Sequence, residues 1–182
     1  MGFPKLAHFI NDGIFLTGDL QIHDIGLPEF EPVIFSLIEE SDIRENINLS
    51  FPTVHKFSKG KLVVIGGSSE YIGAIELASS SGYRGGSGYV KAIVPENISS
   101  LLNTKLPEVI VENFTTENLE KSIEWADAIV LGPGLKIELR ELEFILDEIQ
   151  ELSKPVVIDA GVFPFINSGL SLEKFPERTI FT

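Results

Sequence analysis

The sequence predicts an α/β fold in three layers, with a mostly parallel central sheet between helices. Three observations predict it. Short apolar runs alternate with helix-length amphipathic stretches from residue 61 to the end of the chain. The runs are nearly continuous Val, Ile and Leu, as in parallel strands buried on both faces. Three of them end in Gly66-Gly67-Ser68, in Gly132-Pro133-Gly134 and at Asp159, and in open sheets of this kind ligands bind beyond the carboxyl ends of the strands.

Residues 1–30 carry turn signals at Asn11-Asp12-Gly13, Thr17-Gly18-Asp19 and Gly26-Leu27-Pro28. Between them Leu20–Ile25 alternates as a strand does. Phe35–Ile38 reads as a short strand, and Glu39–Asn46 as a helical turn with Ser41 at its N-cap. Phe51–Lys61 is polar, contains Pro52 and reads as a connector. Regular alternation then begins. Strands are predicted at Leu62–Ile65, Tyr89–Val94, Glu108–Val111, Ala128–Leu131, Val156–Ile158 and Arg178–Thr182. Helices are predicted at Ser69–Ser81, around Ile98–Leu102, at Thr116–Trp125 and at Glu138–Leu152. The three marked strand ends should meet on one edge of the sheet.

Composition narrows the function. The net charge is −13, from 27 acidic and 14 basic residues, and such a surface repels a phosphate backbone. Nucleic acid is therefore not an expected partner. An anionic ligand would need local backbone dipoles, because the global field opposes it. With no Cys there is no disulfide or thiolate chemistry, which fits a reducing cytoplasm. No apolar run reaches the roughly 18 residues that span a bilayer, so no membrane role is expected. His8, His23 and His55 lack metal-ligand spacing, no G-x-S-x-G elbow is present, and no metal site is predicted.

The candidate site residues sit at the strand ends. At Gly67, glycine permits positive φ and close ligand approach, and Ser68 can donate to a phosphate or cap the next helix. The spacing matches neither G-x-G-x-x-G nor a P-loop, so an ordinary turn stays open beside ligand contact. Ala74 leaves space near the first turn of the following helix. In Gly132-Pro133-Gly134 a rigid Pro between glycines fixes a turn whose N–H groups face outward. Asp159 can bind a hydroxyl, hold a cation, act as a base or cap the next segment. Asp127 and Asp24 are weaker candidates, read as solvated or turn-capping. Gly85, Gly86 and Gly88 read as a helix stop.

One ordered set carries a resemblance. It runs from His55-Lys56 and Gly60 through Gly66-Gly67-Ser68, Tyr71, Gly73-Ala74, Arg84, Gly86, Gly88 and Val94-Pro95. It continues through Leu106-Pro107-Glu108-Val109, Ala126-Asp127-Ala128, Gly132-Pro133-Gly134-Leu135 and the segment 155–160. The set resembles the ADP- or ATP-dependent NAD(P)H-hydrate dehydratases, which have a ribokinase-like fold. The run from Gly18 to Pro28, with Pro4-Lys5, resembles the end of the NAD(P)H-hydrate epimerase domain that precedes the dehydratase in bifunctional members. The resemblance thus divides the chain into an epimerase tail and connector, 1–50, and the N-terminal part of a dehydratase domain, 51–182.

It implies repair of hydrated NADH and NADPH. A nucleotide, ADP or ATP with Mg2+, phosphorylates the added hydroxyl, and loss of phosphate restores the reduced cofactor. Ala74 and the Gly132–Gly134 turn would line the hydrated-dinucleotide site, with Gly67, Ser68 and Asp159 beside it. Three positions depart from the family pattern: Phe57 and Lys136 stand where Gly is usual, and Gly161 replaces a second Asp. Beyond Thr179–Thr182 the family continues with a T-P-H-x-G-E loop and a G-x-G-D motif that binds nucleotide and supplies the catalytic Asp. The expectation is that this C-terminal part is missing and that the chain alone is inactive or binds weakly. An apolar edge near Val156–Ile158 or Ile180–Phe181 is then expected to recruit a second copy, as a homo-oligomer, or a complementing chain. The alternatives are a catalytically dead dinucleotide-binding or assembly module and a sugar or vitamin kinase of the same fold.

Overall fold

The computed structural model describes residues 4–28, 36–46 and 56–182, in two compact units, 1–50 and 51–182. Among its described residues the first unit holds a 3-10 turn at Leu6–His8 and two short α-helices, α1 (Gly13–Leu16) and α2 (Glu40–Asn46). The alternating run Leu20–Ile25 forms no strand, and neither do residues 36–38; Phe35 lies outside the described residues. Alternation without a partner strand leaves backbone groups unpaired, and here the chain turns instead, with Asp24 Oδ1 accepting from Gly26 N at 2.8 Å. Ser41 does not cap α2 but lies inside it. Asp42 Oδ2 accepts from Glu39 N at 2.8 Å and closes the first turn.

The second unit is the sheet domain. Of the expected connector, residues 51–55 lie outside the described residues and Lys56–Lys59 form a 3-10 turn. The order that follows is β1 (Lys61–Ile65), α3 (Ile72–Arg84), β2 (Tyr89–Val94), α4 (Glu96–Lys105), β3 (Ile110–Asn113) and α5 (Thr116–Trp125). Then come β4 (Ala128–Leu131), α6 (Leu139–Glu151), β5 (Val156–Ile158), α7 (Phe163–Asn167) and β6 (Thr179–Phe181). The six strands form one sheet in the order β3-β2-β1-β4-β5-β6, and every pairing is parallel.

Alternation along the strands builds a core on each face. Val63, Ile65, Ile93, Ile129 and Leu131 pack with Leu119, Ile123, Leu142, Ile145 and Ile149 of α5 and α6. Val64, Val90, Ala92 and Val94 pack with Ile75, Ile98 and Leu102 of α3 and α4. The three-layer αβα architecture follows from these two faces.

Local chemistry moves several boundaries. Helix α3 starts three residues later than predicted, because Ser68 takes the N–H of Tyr71 on both its carbonyl (3.1 Å) and its Oγ (3.3 Å) and holds a turn there. Strand β3 is displaced toward Asn113 because Val109 N turns back onto Leu106 O at 3.1 Å, while Ile110 enters the ladder opposite Lys91. Helix α7 was not predicted. Its apolar F-P-F-I run reads equally as loop or strand, and Pro164 in its first turn is the available signal. Val156–Ile158 is not an open edge, since β4 and β6 flank it. The edge on that side of the sheet is β6, where Ile180 is 62% and Phe181 42% exposed.

Candidate functional site

Strands β1, β4 and β5 are neighbours, so their carboxyl ends meet, as the sequence predicts. Gly67 N donates to Pro133 O at 2.8 Å and ties the first turn to the second. Gly132 N donates to Ile65 O at 3.0 Å, and Asp159 N to Leu131 O at 2.9 Å. At Gly132 only glycine serves. Its φ is +121°, and a Cβ there would stand 2.0 Å from the Asp159 carbonyl oxygen. Gly134 lies against the start of α3, where an added Cβ would be 3.2 Å from that of Ala74. Gly66, Gly67, Ser68, Gly132 and Pro133 are buried, while Ala74, Gly134 and Asp159 are half-buried. All seven candidates therefore belong to one contiguous floor.

Two side chains offer hydrogen-bonding capacity there. Ser68 Oγ accepts from Tyr71 N, which leaves its own proton to donate, and the Ser68 hydroxyl does not cap α3, whose N-cap is Tyr71. Asp159 occupies the N-cap position of the 3-10 turn Ala160–Val162, yet its carboxylate makes no cap hydrogen bond. Oδ1 instead accepts from Thr182 Oγ1 at 3.3 Å. A carboxylate has lone pairs for several donors, so acceptor capacity remains at the end of β5.

The mouth of the floor was not legible beforehand. Lys136 Nζ pairs with Glu70 Oε2 at 2.5 Å and sits 5.3 Å from the centroid of the Tyr71 ring. The hydrogen bond that Lys136 donates to Glu70 holds its ammonium above the ordinary pKa, with Coulomb attraction to Glu70 and Tyr71 adding to it. Alongside lies a cavity of 440 Å³ lined by Leu135, Lys136, Glu138, Gly161, Pro164 and Phe165, among others. Gly161 N donates to Gly132 O at 3.2 Å, and a Cβ at 161 would be 2.6 Å from that oxygen. Gly161 thus lets the 159–162 segment close on the Gly-Pro-Gly turn.

Other candidates fall elsewhere. Asp127 Oδ2 accepts from Lys61 N at 2.9 Å, which clips the start of β1 to β4 at the opposite sheet edge. Gly85 N donates to Ser81 O and Gly88 N to Gly60 O, so this glycine cluster ends α3 and lies away from the floor. His8 Nδ1 accepts from Lys5 N at 3.1 Å, His23 is exposed, and His55 lies outside the described residues. Among the described residues no three His, Cys, Asp or Glu side chains gather to hold a metal, and no helix is long and apolar enough to cross a membrane.

Residues 62–182 match the family model described as NAD(P)H-hydrate dehydratase. Over all of its length the chain is 30% identical to a bifunctional NAD(P)H-hydrate repair enzyme of Thermofilum pendens, of which it spans 37%. Its fold is similar to a crystal structure of a ribokinase-like superfamily protein from Enterococcus faecalis, with TM-score 0.67 and 27% identity over 79% of this chain and 52% of that one. It is also similar to an ADP/ATP-dependent NAD(P)H-hydrate dehydratase from Bacillus subtilis co-crystallised with ATP/Mg2+, with TM-score 0.57, 26% identity and coverage of 68% of this chain and 45% of that one. The chain therefore spans about half or less of the relatives it matches. With the model covering most of its length and the parallel sheet and glycine turns in place, the chain belongs to the NAD(P)H-hydrate dehydratase family, on a ribokinase-like fold.

Proposed function

We propose that this chain forms the dinucleotide-binding face of an enzyme that restores hydrated NADH or NADPH by ADP- or ATP-dependent dehydration. The observation that carries the reading is the convergence of Gly66-Gly67-Ser68, Gly132-Pro133-Gly134 and Asp159 on one floor, in a chain of this family. Ala74, Gly134 and Asp159 are the half-buried part of this floor, and they are what a bound molecule would meet first. The Ser68 hydroxyl donates to the bound molecule, and the Asp159 carboxylate accepts from a hydroxyl on it. The nucleotide supplies the phosphoryl group. Mg2+ would arrive with the nucleotide, because the described residues gather no ligand set of their own.

Residues 1–50 are, in this reading, the end of an epimerase domain, supported by a match to a bifunctional repair enzyme that extends over the whole chain. The reading carries a cytoplasmic location with it, where the reduced cofactors are used. Assembly through the β6 edge, with a second copy or a complementing chain, is part of the same proposal and is supported by the exposed Ile180 and Phe181.

The test is to incubate the chain with hydrated NADH, ADP or ATP and Mg2+ and to follow recovery of the reduced-nicotinamide absorbance. Recovery establishes the activity. Binding of NADPH without recovery establishes the dinucleotide face alone. Neither binding nor recovery removes the reading.

A further inference from the structure

The chain carries a large negative charge, yet the loop after the Gly-Pro-Gly turn brings a lysine to the mouth of the candidate floor. Lys136 is held there by two partners on the facing loop, the Glu70 carboxylate and the Tyr71 ring. Both loops touch the floor directly. Lys136 follows Gly134 by two residues, and the backbone of Gly134 is packed on Tyr71 and Ala74. Lys136 also lines the 440 Å³ cavity beside the floor.

The pair itself is weakly held in place. The Lys136 and Glu70 side chains are 52% and 62% exposed, and ion pairs that exposed contribute little net stability. Glu70 therefore acts as a resident anion that a better one can displace. A phosphate offers more charge and more acceptor oxygens than a carboxylate, and charge-assisted bonds to it are among the strong ones. The Tyr71 ring keeps the ammonium at the mouth when Glu70 lets go.

We propose that Lys136 is a phosphate contact for the dinucleotide, released from Glu70 when the ligand binds, so that Glu70 lowers the affinity by competing for the same ammonium. This rests on the dinucleotide reading above. It assigns a binding role to a residue outside the candidate set read from the sequence.

The test measures NADPH binding to the full chain by nicotinamide fluorescence at low and high salt. Lys136→Gln and Glu70→Gln are compared with Lys174→Gln, a charge control whose own partner is Asp147. Lys136→Gln is expected to weaken binding roughly tenfold, the lower end of the range for one lost charge-assisted hydrogen bond, and to flatten the salt dependence. Glu70→Gln is expected to tighten it, and Lys174→Gln to leave it unchanged. If the wild-type chain binds and Lys136→Gln binds equally well, or Lys174→Gln weakens binding as much, the proposal is overturned while the dinucleotide reading stands. If the wild-type chain does not bind NADPH, the dinucleotide reading falls and takes this proposal with it. Thermal unfolding of each variant separates lost contact from lost fold.

Discussion

Gly66 lies flat against Pro133, so close that a Cβ on Gly66 would stand 2.3 Å from the Pro133 carbonyl oxygen. That oxygen belongs to the backbone of a buried turn and already accepts from Gly67 N, so it cannot swing aside. Gly66→Ala is expected to cost about 1–3 kcal/mol through overpacking. Gly132→Ala is expected to cost more, since the clash with Asp159 O is tighter and its φ of +121° adds backbone strain. Gly73 supplies the contrast. It lies in the first turn of α3 with nothing within 4 Å of an added Cβ, and Gly73→Ala should stabilise by about 0.5–1 kcal/mol. Urea unfolding of the three variants checks the order.

Asp159 separates function from stability. Among the described residues its carboxylate makes a single 3.3 Å contact, with Thr182 Oγ1, and caps nothing. Asp159→Asn should shift the unfolding free energy by less than about 1 kcal/mol. The same change should weaken NADPH binding or dehydration severalfold, because an amide accepts less strongly than a carboxylate. A variant that unfolds early yet binds normally would assign Asp159 to the fold instead.

The sheet was legible because its strands obey one rule. Val63-Val64-Ile65 is buried on both faces, and β4 buries Ile129 and Leu131 on one face and half-buries Ala128 and Val130 on the other, the pattern of parallel strands between helices. The convergence of the glycine turns followed from strand adjacency and was legible too. The mouth was not. Lys136 and Glu70 are 66 residues apart, and no local pattern announces a pair made by two loops across a sheet edge. Helix starts were misplaced where a side chain competed with the backbone, as Ser68 does for Tyr71 N. Leu20–Ile25 misled for the opposite reason, since alternation marks a strand only where a neighbour completes the ladder.

Among the described residues Lys91 is the charged group held deepest in an ion pair. Its side chain is 12% exposed, and Nζ lies 3.0 Å from Glu112 Oε1, 3.2 Å from Ser122 Oγ and 5.0 Å from the centroid of the Trp125 ring. It thereby joins β2, β3 and α5. Lys91→Ala removes three partners at once and should cost about 2–3 kcal/mol. Glu112 is 31% exposed, so the carboxylate left behind still reaches water and the loss stays below that of a fully buried pair. A double-mutant cycle with Glu112→Gln should show a coupling of roughly 1 kcal/mol, and additivity would assign Lys91 to packing alone.

Glu148 on α6 gives the domain a pH signature. Burial, then repulsion from Glu120, Glu151 and Asp147, raises its carboxyl above the ordinary value of 4.5. The folded state therefore holds this proton more tightly than the unfolded state does, and stability falls as pH rises through the window between the two values. Above that window Glu148 is ionised in both states, and the full penalty applies. Glu148→Gln should accordingly raise the melting temperature at neutral pH, with the gain shrinking as pH falls and vanishing once the carboxyl is protonated in both states, below about 4.5. Thermal unfolding of the two proteins across pH 4 to 8 measures it, and a gain independent of pH would assign the effect to helix propensity rather than to charge.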